Sequence, residues 1–299
     1  MDLRLHIGVH RAATRHLRTM LSANRELLAE EGVRVLDPEF AERAFAVAIK
    51  DLRDGRPLGS VNAELMSKLT ADRELKRIVM VDPNMAGSLL RPMGKELFYP
   101  RISITLQRIV GVLDGLPLRI FCGVRNPATF VPSAYAAQQS HNPELSFADF
   151  IADTNLPGLR WSDFLHRAQL KSDELGITTW RHEDYPKIWR EVAQALTGVS
   201  NRELLNGSTQ PIDPGLSLKG ALLLHEYLAE KPTKERAEFD RIRNAFVQKF
   251  PSSQGFGDPL LWPNEMMEGM TESYEDDWYY IERMENVEAI TPKVFAENA

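Results

Sequence analysis

Cysteine and positive charge are both scarce in this 299-residue sequence, and each scarcity excludes a class of protein. Cys122 is the single cysteine, so no intramolecular disulfide can form and a cysteine-based metal site is disfavoured. Its place in the apolar run 120–124 predicts a core position. Because 36 Lys+Arg face 42 Asp+Glu, the formal net charge is −6. This balance argues against nucleic acids and anionic membranes as partners, so any anion site must be a local pocket.

Long hydrophobic runs are missing as well. No apolar stretch approaches the roughly 18–20 residues that span a bilayer, and the first residues are too polar for a signal peptide. We therefore expect a cytoplasmic protein with no membrane partner. A hydrophobic fraction of 43% with 26% charged residues is ordinary for a globular chain, which excludes the disordered and fibrous classes.

Short apolar runs alternate with longer segments of helical periodicity, which is the pattern of βαβ units. The sequence thus predicts an α/β fold, a three-layer α/β/α arrangement with a central parallel sheet, over residues 1–205. The predicted strands cover residues 3–8, 33–36, 77–82, 118–124 and 177–181. The predicted helices cover residues 13–31, 39–52, 61–75, 101–113, 128–138, 162–174 and 183–196.

Residues 206–299 have a different texture. Turn residues dominate 206–215, helical periodicity marks 216–230 and 234–250, residues 251–263 read as a loop, and 273–284 resume helical spacing. We expect a helical C-terminal extension that packs on the core within the same domain. The cluster Trp278-Tyr279-Tyr280 is expected to dock on that domain, and a homodimer contact is the alternative.

The most informative segment runs from Leu5 to Leu17. An apolar strand, a loop that begins at Gly8 and a helix N-terminus bring free N–H groups and the positive dipole end together, which favours a phosphate or sulfate. The side chains of Arg11, Thr14 and Arg15 add donors. Compared with the kinase loop G-x-x-x-x-G-K-[ST], Gly8 fits the first glycine, but Ala13, Thr14 and Arg15 replace the second glycine, the lysine and the Mg-binding hydroxyl.

A second segment follows the strand predicted at 118–124. Arg125 leaves the carboxyl end of a strand expected to be central, which is where open α/β sheets bind ligands. Pro127 suits the first turn of a helix, and Ser133 lies about two turns along that helix. A guanidinium fork and a hydroxyl suit a phosphate monoester.

Together these segments resemble the bacterial-type sulfotransferases that use 3′-phosphoadenosine 5′-phosphosulfate (PAPS) and have a P-loop NTPase-like fold. In that family a loop G-x-x-K-[TS]-[GA]-T-[TS]-x-L holds the 5′-phosphosulfate, and R-[DN]-P with a serine eight residues after the arginine holds the 3′-phosphate. The matching residues are Gly8, Ala13, Thr14 and Leu17 in the first motif and Arg125, Asn126, Pro127 and Ser133 in the second. Weaker likenesses lie at 180–185, 205–208 and 274–277.

The resemblance implies transfer of a sulfuryl group from PAPS, without a metal, to a hydroxyl or amine on a small molecule, glycan or peptide. It places PAPS against His10, Arg11, Ala12, Ala13, Thr14, Arg15, Arg125 and Ser133. The family lysine, which polarises the sulfate-bridging oxygen, is here Arg11, and a guanidinium is so strongly basic that proton donation is implausible. A catalytically silent nucleotide-binding relative therefore stays open as an alternative. The acceptor is chosen by loops such as 85–100 and 251–263.

The catalytic base is the remaining assignment. Asp82 ends the strand predicted at 77–82, on the rim where related enzymes place a Glu or His, so we assign it the role with Arg11 as the catalytic cation. Capping of the next turn is the alternative role of Asp82, and His10 and His141 are alternative bases. A small-molecule kinase is the rival enzyme, with Asp82 holding Mg²⁺, although the loop lacks the residues that kinases need.

Overall fold

The computed structural model describes residues 1–170, 175–207, 215–233, 235–252 and 262–293. Within these ranges the main sheet has six strands: β1 (Asp2–Gly8), β2 (Val33–Val35), β3 (Arg77–Val81), β6 (Leu118–Val124), β7 (Gly176–Arg181) and β8 (Val287–Ala289). Their order is β2-β3-β1-β6-β7-β8, and all neighbouring pairs are parallel. A short antiparallel hairpin, β4 (Met93–Gly94) and β5 (Leu97–Phe98), stands apart from it.

Helices follow the strands in the order expected of βαβ units. They are α1 (Thr14–Ala23), α2 (Arg25–Glu30), α3 (Pro38–Arg53), α4 (Leu58–Thr70), α5 (Ile102–Gly111), α6 (Pro127–Gln138), α7 (Phe147–Ile151), α8 (Trp161–Ala168), α9 (Tyr185–Thr197), α10 (Leu218–Glu230), α11 (Arg236–Lys249) and α12 (Asn264–Ile281). Of the helices in the described ranges, none is both long and apolar enough to cross a membrane.

Both faces of the sheet are covered, which confirms the predicted α/β class. Leu17 and Leu21 of α1 pack with α9 on one face, against sheet residues such as Phe121. On the other face, Phe130 and Val131 of α6 join a larger core with α3, α4, α5 and α8. The fully buried Cys122 belongs to this second core, as its apolar surroundings predict.

The strand order predicts a crevice at the carboxyl ends of β1 and β6. The chain leaves β1 toward α1 on one face of the sheet and leaves β6 toward α6 on the opposite face. Connections that diverge from adjacent parallel strands leave an opening between them, and open α/β sheets bind their ligands there. The two segments with candidate anion-binding residues both begin at this crevice.

The helix predicted at 13–31 is interrupted, so that prediction was wrong in its middle. Asn24 separates α1 from α2, and its side-chain amide donates to the carbonyls of Met20, at 2.8 Å, and Asn206, at 2.7 Å. The Oδ1 atom of Asn24 accepts from the Asn206 N–H at 2.9 Å. The helix is interrupted where Asn24 bonds to this distant loop. No local pattern in the sequence predicts these bonds.

The C-terminal part differs from its predicted elements in two places. Val287–Ala289 adds a strand beside β7, and α12 begins at Asn264, nine residues before the predicted start at 273. A three-residue strand is too short to show periodicity, which explains the first miss. The predicted helix 162–174 is shortened to Trp161–Ala168, with 171–174 outside the described residues. Most of the predicted loops 206–215 and 251–263 also lies outside them.

Candidate functional site

The loop between β1 and α1 is held in an unusual backbone conformation. Gly8, Arg11 and Ala13 have φ of 113°, 63° and 63°. A Cβ atom on Gly8 would lie 3.2 Å from the Cα and carbonyl oxygen of Pro83, so the sharp turn requires glycine. The Val9 N–H donates to the carbonyl of Gly123 in β6 at 3.3 Å, which ties the loop to the neighbouring strand.

The N-terminus of α1 offers backbone donors at this loop. Ala13 occupies the N-cap position and has no side-chain oxygen to accept from the first turn. The Thr14 hydroxyl instead donates back to the Val9 carbonyl at 3.4 Å, and Ala12 is buried. Arg15 lies in the first turn with an exposed side chain. The loop therefore presents a positive helix end to the crevice.

Three of the predicted residues meet directly. The Arg11 Nε donates to the Ser133 Oγ at 2.8 Å, and the Arg125 Nη1 donates to the same oxygen at 3.3 Å. Arg125 Nη1 also donates to the Arg11 carbonyl at 2.9 Å. The two motifs, more than one hundred residues apart in sequence, thus form one cluster of two guanidinium groups around a single hydroxyl. We call Arg11, Arg125 and Ser133 the arginine pair site.

The electrostatics of the arginine pair site are unfavourable without an anion. Burial lowers the pKa of Arg125 to about 10, and the nearby charge of Arg11 adds to the effect. Burial, followed by the charge of Arg15, lowers the pKa of Arg11. Among the described residues neither Arg11 nor Arg125 makes an ion pair, and Ser133 is neutral. A dianion placed between the two guanidinium groups would remove this repulsion.

A second set of contacts holds Arg125 in place. Its Nε donates to the Thr129 Oγ1 at 3.0 Å, one helical turn along α6. The next backbone N–H, at Asn126, donates to Glu183 Oε1 at 2.9 Å, and the Tyr274 hydroxyl donates to Glu183 Oε2 at 3.0 Å. Sequence reasoning assigned no role to Glu183 or Tyr274, because only the fold brings β7 and α12 to this rim.

His182 is a third residue that sequence reasoning missed. It directly follows β7, and its backbone N–H donates to the Val124 carbonyl at 2.7 Å, so it lies beside Arg125. Its Nδ1 is buried and has no hydrogen-bond partner in the described part of the chain. Burial first, and then the charges of Arg125 and Arg11, lower the pKa of His182 to about 3. The imidazole is therefore neutral at physiological pH.

The proposed base Asp82 is buried at the end of β3. Its carboxylate accepts from the Asn84 N–H at 2.9 Å and so caps the 3₁₀ turn Pro83–Met85, the structural role considered for it from sequence. Burial raises the pKa of Asp82, which makes the carboxyl a stronger base than an exposed one. The second carboxylate oxygen retains acceptor capacity for a proton.

The two histidine alternatives lie in different surroundings. His10 is buried in the loop, where its Nδ1 lies 3.0 Å from the Tyr99 hydroxyl and its Nε2 lies 3.2 Å from Asn84 Oδ1. Both ring nitrogens thus already have partners, and burial lowers the pKa of His10. His141 is exposed beyond the far end of α6, a helix about 18 Å long, and lies away from the arginine pair site.

Metal ligands are not gathered in the described ranges: no group of three or more His, Cys, Asp or Glu there could hold an ion. No protein family model matches the chain, and no curated protein matches it.

Proposed function

We propose that this chain is a sulfotransferase of P-loop-like fold that binds PAPS at the crevice between β1 and β6. One observation carries the proposal: Arg11 and Arg125 converge on Ser133 with no ion-pair partner in the described part of the chain. Two forked cations and a hydroxyl match the three oxygens of a phosphate monoester, here the 3′-phosphate. The positive end of α1 and the loop N–H groups favour the 5′-phosphosulfate beside it.

Sulfuryl transfer then needs two contributions from the chain: a base for the acceptor proton, and groups that stabilise the leaving phosphate. An acceptor oxygen or nitrogen forms a bond to sulfur, the bond from sulfur to the bridging oxygen breaks, and the departing phosphate keeps that electron pair. Asp82 takes the acceptor proton, and its pKa, raised by burial, suits that role. The loop N–H groups and the α1 dipole stabilise the charge on the leaving phosphate, and Arg11 joins them when its guanidinium turns from Ser133 toward the loop. No divalent ion is required by this scheme.

A catalytically silent nucleotide-binding protein is the second candidate. The observation that favours it is the direction of Arg11, whose guanidinium donates to Ser133 and is thereby turned toward the proposed 3′-phosphate site. A guanidinium that is bonded to Ser133 does not direct its charge at the bridging oxygen. Replacing it by lysine, a compact and rotatable ammonium, would free the charge for the leaving group.

The test is transfer of labelled sulfate from PAPS to a panel of phenols, sugars, amines and peptides, with and without a chelator. A sulfotransferase labels at least one acceptor and is indifferent to chelation. If transfer occurs only in Arg11→Lys, the natural chain is the silent relative. Transfer of phosphate from ATP with an absolute need for Mg²⁺ would contradict both the sulfotransferase and the silent relative, and would indicate a kinase.

Binding variants test the site independently of catalysis. Arg125→Ala should weaken 3′-phosphoadenosine 5′-phosphate binding more than Ser133→Ala does, because charged hydrogen bonds contribute about 1.5–3 kcal/mol and neutral ones about 0.5–1.5 kcal/mol. Arg119→Ala is a suitable control, since Arg119 pairs with Glu288 at the opposite end of β6. A reversed ranking, or an equal loss in the control, would place the nucleotide elsewhere.

A further inference from the structure

The Nδ1 atom of His182 is a buried polar atom on a partly buried side chain, and no contact among the described residues gives it a hydrogen-bond partner. This atom is shielded from solvent and neither donates to nor accepts from an atom of the residues that the structure describes. A buried polar atom without a partner costs about 1–3 kcal/mol, so native proteins place one where a ligand or water completes it. The ring lies at the carboxyl end of β7, beside the end of β6 that carries Arg125.

The charges around this ring come from three other segments. Arg11 approaches from the β1–α1 loop and Arg125 from the end of β6, and both act on the imidazole as like charges. On its own segment Glu183 is already bound by the Asn126 N–H and the Tyr274 hydroxyl of α12.

Arg181, a further cation near the end of β7, is paired with two carboxylates. Arg181 Nε pairs with Asp184 at 2.8 Å, and its Nη1 pairs with Glu275 of α12 at 2.8 Å. The field at the imidazole therefore comes from the guanidinium groups of Arg125 and Arg11, while the Glu183 carboxylate acts on Arg125 in the opposite sense. That field is positive while the arginine pair site is empty.

We propose that His182 is a third ligand of the anion in the arginine pair site, and that it takes up a proton when a phosphate or sulfate group binds there. A dianion offsets the two guanidinium charges, and its negative charge within hydrogen-bond reach of the ring then favours the imidazolium against the opposing effect of burial. The Nδ1–H of the imidazolium donates to an anion oxygen. The inference rests on the proposed anion site and adds a residue and a proton to it.

Coupling of this kind makes affinity depend on pH in a defined direction. The free protein holds His182 neutral, and the complex holds it protonated, so lower pH favours the complex. Uptake of one proton raises the association constant up to about tenfold for each pH unit below neutrality. Sulfate is the cleanest probe, because it stays a dianion throughout this range and contributes no proton of its own.

The experiment is a calorimetric titration of the whole chain with sodium sulfate, and separately with 3′-phosphoadenosine 5′-phosphate, between about pH 6 and pH 8. Each titration is run in two buffers of different ionisation enthalpy, so that the proton uptake is read from the difference in heat. His182→Gln keeps an N–H donor and cannot take up a proton. His141→Gln, which removes an exposed histidine, is the control.

Proton uptake in the parent and in His141→Gln, absent in His182→Gln, supports the proposal. Equal uptake in the parent and His182→Gln overturns it while leaving the nucleotide site intact. If sulfate binds with proton uptake and the nucleotide does not bind, the proposed function fails and the role of His182 stands. If neither ligand binds, both fail.

Nuclear magnetic resonance of the parent gives a second readout that needs no variant. The His182 signals should titrate near neutrality in saturating sulfate and only at much lower pH in its absence. Signals that titrate identically with and without sulfate would contradict the proposal.

Discussion

Replacing Arg11 by glutamine should stabilise the ligand-free protein while abolishing its anion site. Glutamine retains an N–H that can donate to the Ser133 Oγ, but it removes one of the two positive charges at that hydroxyl. The backbone at position 11 is left-handed, with φ of 63°, and glutamine tolerates it about as well as arginine does. The substitution thus isolates the charge of the residue.

The magnitude follows from the shared hydroxyl. Both guanidinium nitrogens lie within 3.3 Å of the Ser133 Oγ, so they are at most about 6 Å apart. Two unit charges at that separation repel by about 2–3 kcal/mol at an effective dielectric constant of 20. Both residues are partly exposed, and water in the crevice screens this value, so a gain of about 1 kcal/mol in the free energy of unfolding is expected.

Urea denaturation in dilute chloride measures the difference, followed by the same series in sulfate. The parent should gain stability from sulfate, and Arg11→Gln should not. Arg181→Gln is the matched control: Arg181 pairs with Asp184 and Glu275, so its loss should destabilise the protein. A loss above about 1 kcal/mol in Arg11→Gln, comparable with that control, would refute the reasoning, because it would mean that Arg11 is already neutralised.

Three further predictions concern other residues. Asp82→Asn should lower the rate of sulfuryl transfer roughly 10²–10⁴-fold and leave nucleotide affinity nearly unchanged, because the asparagine oxygen still accepts from the turn. An unchanged turnover would exclude Asp82 as the base. Burial lowers the pKa of His6 to about 3, so below about pH 6.5 the unfolded chain binds a proton at His6 that the folded chain does not. This residue alone should lower the free energy of unfolding by about 1.4 kcal/mol per pH unit down to about pH 3, in addition to the contribution of His182, and a urea series at several pH values measures the total slope. His6→Leu should flatten this slope, and an equal slope in parent and variant would contradict it. Asp277→Ala should cost about 1–3 kcal/mol of unfolding free energy, because it leaves the Trp161 N–H buried without an acceptor, whereas the exposed Asp276→Ala should cost little.

The sequence predicted the sheet and the position of Arg11 and Arg125 on one rim of it for the same physical reason. Apolar runs that alternate with helical periods specify parallel strands, and parallel strands bring their carboxyl ends to one edge. Arg11 and Arg125 both follow such strands, so their approach could be expected without knowing the strand order. That they share Ser133 as acceptor could not be expected, because it depends on side-chain directions.

Features that depend on distant contacts were beyond sequence reasoning. The break at Asn24 arises from bonds to Asn206, and β8 is a three-residue strand that exists because β7 has an open edge. His182 carries no local signal of function either. Its significance appears only when the fold places its ring beside two arginines from other segments.

One comparison of affinities tests the central claim most directly. The whole chain is titrated with 3′-phosphoadenosine 5′-phosphate and, separately, with adenosine 5′-phosphate. The two ligands differ only in the 3′-phosphate, which is the group that the arginine pair site would hold. Two charged hydrogen bonds contribute about 3 kcal/mol or more, so the first ligand should bind at least about a hundredfold more tightly. Equal dissociation constants for the two nucleotides would contradict the account, since Arg11, Arg125 and Ser133 would then hold no phosphate.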